Sequence, residues 1–172
     1  MSAVTAAGGS SCIEPMEVPA KGFMSMATDP GGAPSGLWQP LDHLGFELLG
    51  EAGAAVWHQL TTRHYRSAVD FYREVLGWRT EQVSDTDEFR YTTAWFGDQQ
   101  LLGVMDAAGC LPDEVPSNWT IFFGAADVDK TLQVIAENGG AVLPSAEDTP
   151  YGRLAAASDP TGVIFNLSSL QS

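Results

Sequence analysis

The imidazole and thiol side chains that could hold a metal or act as nucleophiles are few and scattered. The histidines are His43, His58 and His64, and the cysteines are Cys12 and Cys110. A metal site needs three or four donors converging on one cation, and a nucleophilic site needs a base within hydrogen-bond reach. Neither arrangement can be inferred: there is no CxxC, no Cys/His ligand spacing and no glycine loop that would cradle phosphate. The chain does offer aromatic and amide side chains on strands. Trp57, Gln59 and Thr61 alternate along "AVWHQLTT", and Tyr91 and Trp95 share a face of "FRYTTAWFG". Trp119 opens "NWTIFFGA", and Asn166 alternates with Ile164 and Ser168 in "GVIFNLSS". Such a set suits a flat molecule held by stacking and oriented by a few hydrogen bonds. Trp57, Gln59, Tyr91, Trp95, Trp119 and Asn166 are therefore candidate ligand-binding residues. Phe71, Tyr72, Phe122, Phe123 and Phe165 read as ordinary core, and for Trp57 and Trp119 core and ligand contact are both open. Tyr91 and Arg153 are the candidate catalytic groups, although Arg153 has Glu147 and Asp148 nearby and an ion pair is its simpler use.

Composition bounds the rest. At 172 residues with 44% hydrophobic content, the chain can bury one good core and part of a second. Its formal charge of -14 would repel a phosphate backbone, so nucleic acid is not an expected partner. There is no apolar run of membrane-spanning length and no basic, apolar leader at "MSAVTAAGGSSC", so the expectation is a soluble, cytoplasmic protein with reduced cysteines.

An internal repeat organises the chain. "GGSSCIEPMEVPAKGFMSMATDPGGAPSGLWQ" from Gly8 aligns with "GGAVLPSAEDTPYGRLAAASDPTGVIFNLSS" from Gly139 after a one-residue indel. The alignment matches Gly8 with Gly139, Gly22 with Gly152, Asp29 with Asp159, Gly32 with Gly162 and Leu37 with Leu167. Asp before Pro reads as a turn residue in both copies. From Ala55 the pattern predicts strand, amphipathic helix to Gly77, and three strands, followed by a loop and a second series. That series is the strand "NWTIFFGA", a helix opened by Asp127 or Asp129, and the strands "AVLPSAED", "RLAAASD" and "GVIFNLSS". Residues 1–40 hold only the last three strands of such a unit, residues 41–54 form a linker, and residues 55–172 hold a complete pair, with halves at 55–108 and 117–170.

"AVDFYREVLGW", the "DVD" opening the second helix and "GRLAAASDPTGVIFNL" together resemble the vicinal oxygen chelate superfamily of glyoxalases, bleomycin-resistance proteins and extradiol dioxygenases. "GLWQP" and "HLGFELLGEAGAAVWHQLTT" look like the junction between the modules of tandem actinobacterial glyoxalase-like proteins. The resemblance implies an α+β fold in which paired βαβββ modules form a curved eight-stranded mixed sheet around a cavity. It also implies where a metal would be held: the ligand positions fall on Trp57, on Thr120 or, one register away, Trp119, and on Asn166, where the family carries Glu. The partial copy has Gly36 at the last of these. Without a carboxylate or imidazole at these places the expected metal is none, and no cofactor is expected.

Two functions follow. The first is metal-independent binding of a small aromatic or cationic molecule resembling a natural product. The second is a metal-free cyclase, isomerase or lyase, with a metal-dependent glyoxalase or dioxygenase behind both. Because residues 8–40 would leave unpaired strand edges, they are expected to pack on the complete module, to make a homodimer by strand exchange, or to be the remainder of a longer tandem protein.

Overall fold

The repeat is realised in the backbone itself. Gly8 and Gly139 adopt φ of +86° and +85°, a region that favours glycine, and each sits against the proline of the matching Asp-Pro turn. At Gly9 and Gly140 a Cβ would lie 2.4 Å from a carbonyl oxygen, of Thr28 and of Ser158 respectively, so both copies exclude a side chain there. In each turn one carboxylate oxygen accepts two backbone N–H groups, Gly31 and Ala33 at Asp29, Thr161 and Val163 at Asp159.

The computed structural model describes residues 1–143 and 145–170, and of Phe96 the backbone alone. The first copy comprises α1 (Ser2–Ala6), β1 (Ser10–Val18), β2 (Gly22–Thr28) and β3 (Pro34–Pro40), whose strands form an antiparallel sheet in the order β1-β2-β3. Next come β4 (Ala55–Thr62), α2 (Tyr65–Leu76), β5 (Arg79–Asp85), β6 (Arg90–Phe96) and β7 (Gln99–Asp106). The last series is β8 (Asn118–Ala125), α3 (Val128–Glu137), β9 (Ala141–Val142), β10 (Glu147–Thr149), β11 (Gly152–Ser158) and β12 (Ile164–Ser169). These strands build a mixed sheet of nine, ordered β10-β11-β12-β8-β4-β7-β6-β5 with β9 alongside β11, and the sheet does not close on itself. The α+β reading therefore holds, with nine strands in place of eight. The ninth arises because the strand expected over "AVLPSAED" is two short pieces; Pro144, within that stretch, lies outside the described residues. Helix α1 was not expected, being too short to carry a periodic pattern. No helix among the described residues is long and apolar enough to cross a membrane.

Helix boundaries follow local chemistry. Helix α2 ends at Gly77, which takes the left-handed φ of +66° and returns its N–H to Arg73. Helix α3 opens on Asp127, whose carboxylate accepts the Lys130 N–H at 3.0 Å.

The chain divides into two compact units, Met1–Phe46 with Gln59–Trp119, and Glu47–His58 with Thr120–Ser172. In the first, α2 is buried on more than one side. Leu60 and Val104 of the large sheet join one core with Tyr65, Ala68, Phe71 and Tyr72 of α2, and Val4, Ala27 and Ala33 of the N-terminal segment complete it. The segment thus packs on α2 of its own chain. In the second unit, Val128 and Leu132 of α3 bury against Ala125, Ala155, Ala157 and Leu167.

Tyr72 is where the N-terminal segment is tied to the helix. Its hydroxyl donates to Asp29 Oδ2 at 3.3 Å, accepts the Trp119 indole N–H at 3.0 Å and lies 3.3 Å from Ser35 Oγ, while its ring stacks on Trp78. Unlike its repeat partner Asp159, Asp29 is buried, at 3% exposure. Loss of water raises its pKa, only partly offset by the backbone N–H groups of Ala33 and Gly31. A carboxyl whose folded-state pKa lies above its unfolded value contributes stability below the unfolded value, and that contribution is lost as pH rises through the folded one. Asp29→Asn keeps the acceptor for Gly31 and Ala33, reverses the Tyr72 bond so that the amide donates to the hydroxyl and the hydroxyl to Ser35, and removes the buried charge. It should raise the melting temperature at pH 7 by a few degrees, about 1 kcal/mol, and the difference from wild type should shrink on acidification. Thermal unfolding of both proteins from pH 4 to 8 checks the sign.

Candidate functional site

Which face of each strand meets a helix decides which residues remain for a ligand. In the first unit, Leu60 on β4 and Val104 on β7 lie in the α2 core, and the Thr92 hydroxyl on β6 is hydrogen-bonded to that of Tyr65. Strand alternation sends the intervening residues to the opposite face. There Gln59, Tyr91, Thr93, Trp95 and Met105 stand together, with Tyr91 opposite Met105, Thr93 opposite Gly103, and Arg79 opposite Trp95 in the strand register.

The polar groups on this face are specifically paired. Tyr91 donates to Gln59 Oε1 at 3.2 Å, which turns the Gln59 amide nitrogen toward Met105 Sδ at 3.7 Å. Gln100 donates to Thr93 Oγ1 at 2.7 Å, and that hydroxyl donates to Glu81 O at 3.3 Å. Phe89 stacks on Tyr91 with ring centres 5.5 Å apart, and the Arg79 guanidinium lies 4.5 Å from the centre of the Trp95 ring. Three expected residues, Gln59, Tyr91 and Trp95, are thus gathered on one face. Thr93, Met105, Phe89 and Arg79 join them unforeseen. The signal for Arg79 lay in the hairpin register, which puts it directly across from Trp95.

Trp119 is placed elsewhere. It lies on the α2 side of β8, its indole N–H committed to Tyr72 and its ring edge-on to Trp78.

In the second unit, Asn166 is aligned with Phe122 across the parallel pair β12–β8, while Leu167 beside it turns into the α3 core. Asn166 thus lies on the face away from α3, as does Thr120 by alternation. Trp57 is half-buried on β4. These are the positions at which the resemblance would place a metal, and their donor set does not fit one. An indole N–H cannot ligate, and a threonine hydroxyl and an asparagine amide are weak neutral donors. Among the described residues no group of three or more His, Cys, Asp or Glu is placed to hold a metal ion.

Arg153 is engaged by α3. It pairs with both oxygens of Asp129 at 2.8 and 2.9 Å and with Asp148 at 3.0 Å. The hydrogen bonds from Arg153 hold the Asp129 carboxyl below its usual range, and those carboxylates in turn raise the guanidinium's own pKa. Of the two expected partners, Asp148 is one; Asp129, at the start of α3, is the one that fixes the guanidinium in a two-pronged pair. Sequence reading also missed Arg63, which holds the loop after β7 by donating to the carbonyls of Val115 and Leu111, each at 2.9 Å, and to that of Pro112.

A family model described as the Glyoxalase/Bleomycin resistance protein/Dioxygenase superfamily matches residues 41–167. Over 165 residues the chain is 34% identical to CFP32, a candidate glyoxylase of Mycobacterium tuberculosis, covering 95% of this chain and 62% of the relative. Over 170 residues it is 32% identical to the anthracycline biosynthesis protein DnrV of Streptomyces peucetius, covering 98% of this chain and 60% of that protein. The chain thus spans less than two thirds of the length of these relatives. Among solved structures, the Mn(II)-bound glyoxalase from Novosphingobium aromaticivorans matches 99% of this chain and 57% of its own at 16% identity, with a TM-score of 0.67. Methylmalonyl-CoA epimerase from Mycobacterium tuberculosis matches 73% of this chain and 95% of its own at 14% identity, with a TM-score of 0.54. At these identities the two structures share a fold with this chain.

The placement of Arg153 is testable. Arg153→Gln should leave the affinity for any ligand of the Gln59–Tyr91–Trp95 face within about twofold and lower thermal stability only slightly, because its partners are solvent-exposed carboxylates. Titration of the variant beside wild type, with a melting curve for each, checks both.

Proposed function

The chain belongs to the glyoxalase/bleomycin resistance protein/dioxygenase superfamily, and on that premise we propose that it binds a small planar aromatic molecule without the help of a metal. The observation that carries the reading is the face of β4, β7, β6 and β5 turned away from α2. It carries the half-buried Trp95 ring, the buried Tyr91 ring stacked on Phe89, and the half-buried Gln59 amide. Rings supply stacking area, and a fixed amide supplies direction. Metal independence is supported by the indole, hydroxyl and amide that stand at Trp57, Thr120 and Asn166. The 32% identity to an anthracycline biosynthesis protein is in keeping with an aromatic ligand resembling a natural product.

A cationic ligand would be drawn by the net charge of -14, but the Arg79 guanidinium already lies against Trp95, and two cations on one ring repel. A planar neutral or weakly anionic ring system is therefore preferred.

Catalysis is the second reading, favoured by the Tyr91 hydroxyl, which is held by Gln59 at 3.2 Å and is a proton donor or acceptor of fixed position. It would suit a metal-free cyclase, isomerase or lyase. A homodimer formed by strand exchange through residues 8–40 remains a proposal of lower rank, since the segment already has an apolar seat on α2.

Fluorescence or calorimetric titration with planar aromatics tests the main reading. Trp95→Ala should weaken binding by about tenfold, the worth of a well-stacked ring. Chelator-treated protein and protein supplied with Mn(II) should bind alike; affinity that disappears on chelation overturns metal independence. Tyr91→Phe should change affinity by no more than about fivefold. Turnover of a ligand that vanishes in this variant while binding persists establishes the catalytic reading.

A further inference from the structure

On the Gln59–Tyr91–Trp95 face, the Gln59 amide nitrogen has a poor partner among the described residues. Thr93 Oγ1 both accepts, from Gln100, and donates, to Glu81 O. The Gln59 carbonyl oxygen accepts from Tyr91. The Gln59 amide nitrogen, with two hydrogens to donate, has a thioether 3.7 Å away as its acceptor. Sulfur of this kind is a weak acceptor, so an oxygen brought to the same place would replace it at a gain.

The Tyr91 bond also fixes which way the amide faces. With the hydroxyl proton on Gln59 Oε1, the nitrogen end of the amide lies toward Met105. The site is thus set to donate at this point. Trp95 lies four residues along β6 from Tyr91, about 13 Å of strand, and Thr93 between them faces Gly103, which has no side chain to rise from the floor. A span of that length is bridged by several fused rings and not by one.

We infer that Gln59 is the specificity-determining residue of this face and that it selects fused aromatic ligands bearing a ring carbonyl, such as quinones and aryl ketones, over the same ring systems without the oxygen. Tyr91 is a positioning residue that acts through the orientation of the Gln59 amide. The inference rests on the small-molecule role proposed above and names the ligand chemistry of that site.

A matched pair of probes tests it: anthraquinone-2-sulfonate and anthracene-2-sulfonate, which share charge and outline and differ in the two carbonyl oxygens. Wild-type protein should bind the quinone at least about fivefold more tightly. Gln59→Leu should bring the two affinities together by weakening the quinone alone, and Tyr91→Phe should reduce the ratio without abolishing binding of anthracene-2-sulfonate. A loss confined to overall affinity, with the ratio unchanged, would mean that Tyr91 serves only to support the fold there and would overturn its positioning role. Equal binding of both probes by wild type overturns the carbonyl preference and leaves the aromatic-binding reading intact. If neither probe binds, both fall together.

Discussion

Tyr72 carries the constraint on which the first unit depends. Its ring is buried in the helix core, and its hydroxyl must therefore find partners there or cost the protein an unmet hydrogen bond. It finds them on three other stretches of chain, Asp29, Ser35 and Trp119. Those bonds bring the N-terminal sheet down onto α2 and fix the start of β8 on the same side. They also bury a carboxylate, which is why the Asp-Pro turn of the first copy is electrostatically unlike that of the second. Asp159 is held below the ordinary carboxylate range by the Thr161 hydroxyl and nearby backbone N–H groups, while burial pushes Asp29 the other way.

Once the helices have claimed one face of each strand, the other face is what remains for chemistry. The two-residue period of a strand leaves no intermediate choice, so a shift of one position moves a side chain from ligand to core. Trp119 and Thr120 show this directly. The indole goes into the α2 core and the hydroxyl away from it. The same rule assembles Gln59, Tyr91 and Trp95 from strands far apart in sequence, and it keeps Arg153, which reaches toward α3, out of that group.

The chain keeps the fold of its family. The positions at which the resemblance would place a cation carry an indole, a hydroxyl and an amide, and the Gln59–Tyr91 pair is held by its own hydrogen bond. An amide locked by a tyrosine can tell a donor from an acceptor on a bound molecule, a discrimination a cation achieves by charge.

Much of the fold was legible in the sequence because its signals are local. Alternation marked β4 and β8 to the residue, Gly77 and Asp127 marked the ends of helices, and the matched glycines marked the repeat, since a backbone that turns at positive φ leaves little choice of residue. Alternation also determined that Tyr91 and Trp95 share a face. It could not say which face the helices would cover, because that is set by packing between distant segments. The fate of Trp119, the pairing of Arg153 with Asp129, the burial of Asp29 beneath Tyr72 and the lock between Tyr91 and Gln59 all join residues well separated in the chain. Only the tertiary structure decided them, since each depends on an approach of two elements that no local pattern encodes.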